Sequence, residues 1–408
     1  MTGTSTGNMT GNMTGTSAGP GVSSETVIVG LVGCGVTGLR IAQYLLRAGL
    51  RVVVADADPS VARTLARRFD RVAVIDVADM HAADLVVLAH PQPHLTEVQN
   101  LMAGGTPVVS TSDAIPDLAK LLELHHRAEA LGVAVVVGAA LSPGLSGLLA
   151  RSLGHQLFRL DELHVAMHGT GGPACARQHH DALGSKAVGW HDGEWIERAG
   201  GSGRELCWFP EPVGPQDCYR AALGDPLLLH RSFPSACRVS ARVSGTRRDR
   251  LTARLPMLLP PHREGDLGAV RVEARGADRR GARITLINGA VGHTADLAAA
   301  VVAATVSAMI DDLVPPGVHS LGDSALAPAE LLHRVVQLGV RIQEYTGVAR
   351  PADDAADDAA DYDAAAAGAN DADDEATDES VESVLDRFDV GQRSDMARRE
   401  HDTTMENT

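Results

Sequence analysis

The chain has 408 residues, 44% of them hydrophobic and only 3% aromatic, so it is long enough for two domains with cores built from Ala, Val and Leu. Its net charge of −16 is concentrated in residues 351–408, which hold 19 Asp/Glu against 4 Arg, and the nearly neutral remainder has no basic stripe for nucleic acid. No apolar stretch reaches the ~18–20 residues of a membrane span, no basic-then-apolar order marks a secretory signal, and the five cysteines form no CxxC pair, which argues against a disulfide framework or structural zinc.

Residues 1–24 repeat Thr, Gly, Ser, Asn and Met and read as a disordered tail. From Thr26 the texture changes. TVIVGLVG reads as a buried strand, GLRIAQYLLRAG as a helix, RVVVAD as a second strand and PSVARTLARRF as a second helix. RVAVID, DLVVLAH, TPVVST and VAVVVGA follow as strands, with LAKLLELHHRAEALG as one long helix before the last of them. Strand and helix alternate, and the strands are apolar on both faces. That pattern predicts an α/β fold, a doubly wound parallel sheet of Rossmann type over residues 25–150. Residues 151–293 carry more turn residues and shorter strands, so an inserted α+β domain is expected. There AVRVEARG and ARITLING pair as a hairpin around GADRRG. HTADLAAAVVAATVSAMIDDL and APAELLHRVVQLGVRIQEY read as C-terminal helices within 294–348. The stretch 349–408 reads as an acidic disordered tail, with a short amphipathic piece at VESVLDRF.

Gly33-Cys34-Gly35-Val36-Thr37-Gly38 is a GxGxxG set between a strand and a helix. In that context Gly33 permits the tight turn, Gly35 lets a pyrophosphate approach the backbone and Gly38 lets helix and strand pack closely. The helix N-terminus offers free N–H groups to the phosphates, with Val36 and Thr37 lining the site. Asp56 ends the second strand, 18 residues after Gly38. A carboxylate there accepts from the ribose hydroxyls and repels a 2′-phosphate, which favours NAD over NADP. Residues at the carboxyl ends of later strands should line the same crevice: His90 and Pro91, Ser110, then Ser142, Pro143 and Gly144. His90 and His94 stand four residues apart, but Pro91 and Pro93 break a helix between them, so no metal is expected.

The stretch from His168 to Lys186 concentrates chemistry-bearing residues. His179, His180 and Lys186 are candidates to move a proton during hydride transfer. Arg177 could grip a substrate carboxylate, and Arg204 is a second candidate. Lys186 is one of only two lysines in the chain.

Gly138-Ala139-Ala140-Leu141-Ser142-Pro143-Gly144-Leu145-Ser146 resembles the saccharopine dehydrogenase-like family. So do Gly171-Gly172-Pro173, Phe209-Pro210-Glu211-Pro212-Val213-Gly214 and Pro315-Pro316-Gly317-Val318. The resemblance covers residues 26–346 and departs at His90-Pro91-Gln92-Pro93, where a Gly-Pro-Phe-like turn is more usual. It implies a Rossmann domain, an inserted domain shaping the substrate site, and C-terminal helices packing back on the Rossmann sheet. It also implies NAD(P)-dependent oxidoreduction at a C–N or C–O bond of an amino-acid-like small molecule, in an enzyme that could form a homodimer; the cysteine content separately points to a reducing, cytoplasmic setting. Two rivals stand beside this reading. One is a non-catalytic NAD(P)-binding sensor or accessory protein, the other an aspartate dehydrogenase-like enzyme.

Overall fold

The computed structural model describes residues 27–257 and 260–345. Both expected tails, and the piece at VESVLDRF, lie outside the described residues. β1 (Ile28–Val32), α1 (Val36–Arg47), β2 (Arg51–Ala55), α2 (Pro59–Arg68), β3 (Val72–Val74), β4 (Leu85–Leu88), α3 (Leu95–Ala103), β5 (Val108–Ser110), α4 (Ile115–Glu123), α5 (His125–Leu131) and β6 (Ala134–Val137) alternate as expected. The helix expected over LAKLLELHHRAEALG is two helices, α4 and α5, which meet at Leu124.

The chain continues through α6 (Leu145–Gly154), β7 (Arg159–His168), α7 (Pro173–Gly184), β8 (Ala187–His191), β9 (Glu194–Arg198), β10 (Glu205–Trp208), β11 (Pro215–Arg220), α8 (Asp225–Ser232), β12 (Arg238–Ser244), α9 (Arg247–Thr252), β13 (Leu267–Ala277), β14 (Arg283–His293), α10 (Thr294–Ile310), β15 (Gly317–Ser320), α11 (Pro328–Gln337) and β16 (Ile342–Tyr345).

Two sheets result. The first has seven strands in the order β15-β6-β5-β4-β1-β2-β3, all pairs parallel. Read from β3 to β6, this is the strand order of a dinucleotide-binding sheet. β15 was not expected. It returns from beyond the second domain and pairs with β6, Val318 opposite Val135. The second sheet is mixed, in the order β10-β11-β12-β7-β13-β14-β16, with the β8–β9 hairpin attached to β12. β13 and β14 form the expected hairpin. The last helix is shorter than expected. It ends at Gln337, Gly339 turns the chain at φ +97°, and residues 342–345 become the edge strand β16 instead.

Alternation along the first sheet explains its two covered faces. Val29 and Leu31 of β1, Leu85 and Val87 of β4, and Val136 of β6 enter one apolar cluster, joined by Ile41 and Leu45 of α1. Val32, Val86, Leu88, Val135 and Val137 enter the other, with Val98, Leu118 and Leu121. The first cluster runs on through α6 and α10 into Leu163, Val165, Ala241 and Val270 of the second sheet, so the domains share a continuous core. α10 is Ala-rich and buried nearly throughout. Its small side chains allow close packing on α1, where Arg40 pairs with Asp296 at 3.5 Å. Among the described residues, no helix is long and apolar enough to cross a membrane.

Candidate active site

The glycine loop has the geometry that each glycine was expected to serve. Gly33 has φ +97°, and a Cβ there would sit 2.7 Å from the His90 nitrogen. A Cβ on Gly38 would meet the Gly33 carbonyl oxygen at 1.9 Å. At Gly35, by contrast, an added Cβ would meet nothing within 4 Å. Backbone density closes the turn at Gly33 and Gly38 and leaves an open cradle at Gly35, directly at the N-terminus of α1. A pyrophosphate fits that space and those N–H groups.

Asp56 is tied to this loop. Its Oδ2 accepts the Cys34 N–H at 2.7 Å and its Oδ1 accepts the Asp58 N–H at 2.9 Å. Asp58 caps α2 by accepting from the Ser60 N–H at 2.8 Å. The carboxylate expected to hold the ribose is therefore fixed against the glycine loop. Cys34 itself points into the core, where burial and the Asp56 charge push its thiol up to about 12; it is no nucleophile.

The loops after β4 and β5 are linked through His94, which is fully buried. Its Nε2–H donates to the His90 carbonyl at 2.9 Å, and its Nδ1 accepts from the Ser110 hydroxyl at 2.8 Å. Asp117 accepts the His94 N–H at 3.0 Å. Burial, then the charge of His90, keeps His94 below its ordinary pKa. His90 goes the other way. Burial opposes its charge, but the 2.6 Å bond to Glu97 and that residue's charge outweigh it, and Nδ1 bonds the Pro91 carbonyl at 2.8 Å.

A stability consequence follows for His94. Its folded pKa lies below its unfolded value, so the unfolded chain binds a proton first as pH falls. Stability contributed by His94 is present above pH ~6.5 and is lost as pH falls toward the folded pKa, by at most about 1.4 kcal/mol per pH unit. His94→Gln should show a flatter dependence of the urea midpoint on pH between about 7.5 and 5.5 than the native chain. Parallel dependences would show that His94 is not the titrating group.

The second domain reaches this crevice through α7. A Cβ on Gly171 would touch Thr37 Oγ1 at 3.1 Å, and one on Gly172 would touch Val36 at 3.0 Å, so the start of α7 abuts the start of α1. One turn further, the Gln178 amide bonds Gln92 in the loop after β4. Beside Gln178, His179 lies within electrostatic reach of Asp113, in the loop after β5. α7 thus lies across the carboxyl ends of β1, β4 and β5. Burial pushes His179 down while Asp113 pulls it back up. Burial pushes Asp113 up while His179 pulls it down, and Asp225 and Asp117 add to the rise. Cys175 Sγ stands 3.7 Å from His179 Nε2, its thiol pushed up to about 12 by burial and by Asp113. An imidazole whose charged form is disfavoured by burial, with a carboxyl within electrostatic reach, is a pairing suited to accepting or giving a proton.

The other expected residues are placed elsewhere. His180, on the same helix, bonds the Leu255 carbonyl at 2.7 Å. Arg177 is exposed. Lys186 pairs with Glu197 at 2.6 Å and lines a cavity made wholly of second-domain residues. Arg204 pairs with Asp217 at 2.9 Å. The hydroxyl of Ser142 is committed to the buried Asp225 at 2.8 Å, alongside that of Ser146 at 2.5 Å. Gly144, at φ +130°, lies so close to Ala140 that a Cβ would fall 2.2 Å from its carbonyl oxygen, and Pro143 packs under Gly138. The Ser-Pro-Gly turn therefore joins the sheet to α8. Asp113 was not anticipated, although it stands one residue beyond Ser112, in a loop the strand-end rule already pointed to. Asp225 left no trace, because its partners lie 83 and 79 residues away.

Residues 28–113 match the family model described as NADP oxidoreductase, coenzyme F420-dependent. The glycerol-3-phosphate dehydrogenase [NAD(P)+] of Caulobacter vibrioides is 30% identical over 145 residues, 31% of this chain and 43% of that protein. The chain thus spans less than half the length of the curated relative it matches. Among solved structures, the apo saccharopine dehydrogenase (L-Glu forming) of Saccharomyces cerevisiae superposes with a TM-score of 0.61 at 16% identity, covering 78% of this chain and all of that one. At that identity the likeness is one of fold: a Rossmann-type parallel sheet joined to a second, mixed-sheet domain.

Proposed function

We propose that the chain is an NAD(P)-dependent oxidoreductase, with NAD preferred, acting at a C–N or C–O bond of an amino-acid-like small molecule. The observation that carries this reading is α7 lying across the carboxyl ends of the parallel strands, with its N-terminus on the glycine loop and His179 within electrostatic reach of Asp113. The loop residues Gly33 to Gly38 hold the pyrophosphate and Asp56 the adenosine ribose. A bound nicotinamide takes up or supplies the hydride. His179, with Asp113 behind it, holds the proton that leaves or joins the substrate nitrogen or oxygen, and α7 shields that atom from water. His180, Lys186, Arg177 and Arg204 remain outside this assignment, because each is exposed or bonded elsewhere.

Calorimetry of NADH and NADPH on the native chain and on Asp56→Ala tests the nucleotide half. The native chain should bind NADH more tightly, and the variant should lose about tenfold toward NADH and narrow the difference. Binding of neither nucleotide would remove the basis of the proposal, and tighter NADPH binding would overturn the role of Asp56. A screen of amines, 2-oxo acids and hydroxy acids, read by NADH absorbance, tests the other half. Nucleotide binding without turnover of any of them would favour the sensor reading.

A further inference from the structure

On the second sheet lies a cavity of about 1120 Å3 whose lining residues all belong to the second domain. Seven cationic side chains line it against four carboxylates. The pairings do not use up the cations. Glu197 takes Lys186, Glu205 takes Arg242 at 2.9 Å, and Asp192 lies 3.2 Å from His191. Among the described residues, Arg220, Arg238 and Arg254 close no ion pair. Arg220 stands directly opposite Arg242 across β11 and β12, an arrangement that destabilises a sheet when both carry like charge. A Cβ on Gly203 would meet the Arg220 guanidinium at 2.5 Å, and the Gly203 carbonyl accepts from Arg242 Nε at 3.4 Å, so one glycine lies against both guanidinium groups. Burial, then the neighbouring Arg242, Arg198 and Arg238, pushes Arg220 below the usual guanidinium range. Glu273 and Glu162 hold Arg275 at 2.6 and 3.3 Å, and Glu162 also stands directly opposite Arg238 across β7 and β12, so the unmatched positive charge rests chiefly on Arg220 and Arg254.

The chain itself carries the missing anions. Tyr345, at the end of β16, stands in one row across the sheet with Ile287, Glu273, His164 and Ser240, and the last two line the cavity. Four strand spacings, about 19 Å, separate Tyr345 from Ser240. Its side chain therefore lies on the cavity's face of the sheet. Asp353, Asp354, Asp357, Asp358, Asp361 and Asp363 follow, with no Lys or Arg among them. The eight residues from Tyr345 to Asp353 can span up to about 26 Å. We propose that this cavity is the docking site of the chain's own Asp-rich segment, residues 353–363, held by Arg220, Arg238 and Arg254 with Lys186 at its rim. Tethering gives the segment an effective concentration on the order of millimolar, so even weak pairing is populated, and salt weakens it.

Lysine scarcity makes this testable on the full chain. A carbodiimide joins carboxylates directly to amines, and the only lysines are Lys120 and Lys186. Peptide mapping of the monomer-sized product should show Lys186 joined to an aspartate of 353–363, beside a Lys186–Glu197 product. That cross-link should fall about tenfold in ~0.5 M salt. It should also vanish when the six aspartates are changed to asparagine, which leaves every described residue intact, and should fall in the Arg220→Gln, Arg238→Gln variant at unchanged Tm. Lys186 joined only to Glu197 would overturn the proposal. So would a tail cross-link found only in dimer-sized product, which would mean a second copy's segment, or one formed equally at Lys120.

Discussion

Gly35→Val is expected to abolish nucleotide binding while leaving the fold intact. Gly35 is the N-cap of α1 with φ −66° and ψ −163°, a conformation open to any L-residue. A Cβ there meets no atom within 4 Å, so the native chain loses no packing and the midpoint of thermal unfolding should barely move. The added branches fill the one space through which a pyrophosphate can reach the helix N-terminus. Affinity for NADH should fall by at least about 100-fold, or roughly 2.7 kcal/mol. Gly38→Val is the contrast, because its Cβ would lie 1.9 Å from the Gly33 oxygen and must displace backbone, so binding and stability fall together. A Gly35→Val chain that still binds NADH at native affinity would show that the nucleotide does not use this loop.

His179→Ala is expected to lower kcat by about 100- to 10,000-fold with NADH affinity unchanged, the range for loss of a general acid–base group. The pH profile separates a proton carrier from a merely structural residue. Burial holds His179 below its ordinary pKa, so in the oxidative direction, where it must be neutral to accept a proton, kcat/KM should be level above pH ~6.5 and fall below it. Asp113 favours the imidazolium, so Asp113→Asn should move that acid limb to lower pH. A limb that stays in place in both variants, with turnover within about threefold of native, would place the proton elsewhere.

The first domain was legible because independent signals agreed. A buried apolar run, three glycines, a helix of 3.6-residue period and an acid at the next strand's end all demand the same geometry. The second domain was legible in outline, from its hairpin and turn density. What stayed hidden was set by distant pairing. GVHS holds little strand character of its own and becomes β15 only because β6 offers a free parallel edge. IQEY continues a helical pattern, and the turn at Gly339 together with the edge of β14 decides otherwise. In the site, His179 stands next to His180 and seven residues before Lys186, and spacing alone does not separate their roles. His179 comes within electrostatic reach of Asp113, the next residue round the helix bonds the Leu255 carbonyl, and Lys186, past the helix end, lines the second-domain cavity.

The late return of β15 bears on how the molecule is made. When residue 150 leaves the ribosome, six strands of the first sheet exist, and β6 still presents an open edge of three fully buried valines, Val135 to Val137. Its seventh strand arrives only after some 170 further residues, among them every strand of the second sheet except β16. Until then the nascent sheet has the kind of bare border that invites pairing with another chain. The half built on the parallel sheet is therefore not a cassette that can be cut out and moved. Its completion waits until Gly317–Ser320 has been made, and nearly all of the second sheet is in effect a long insertion within it.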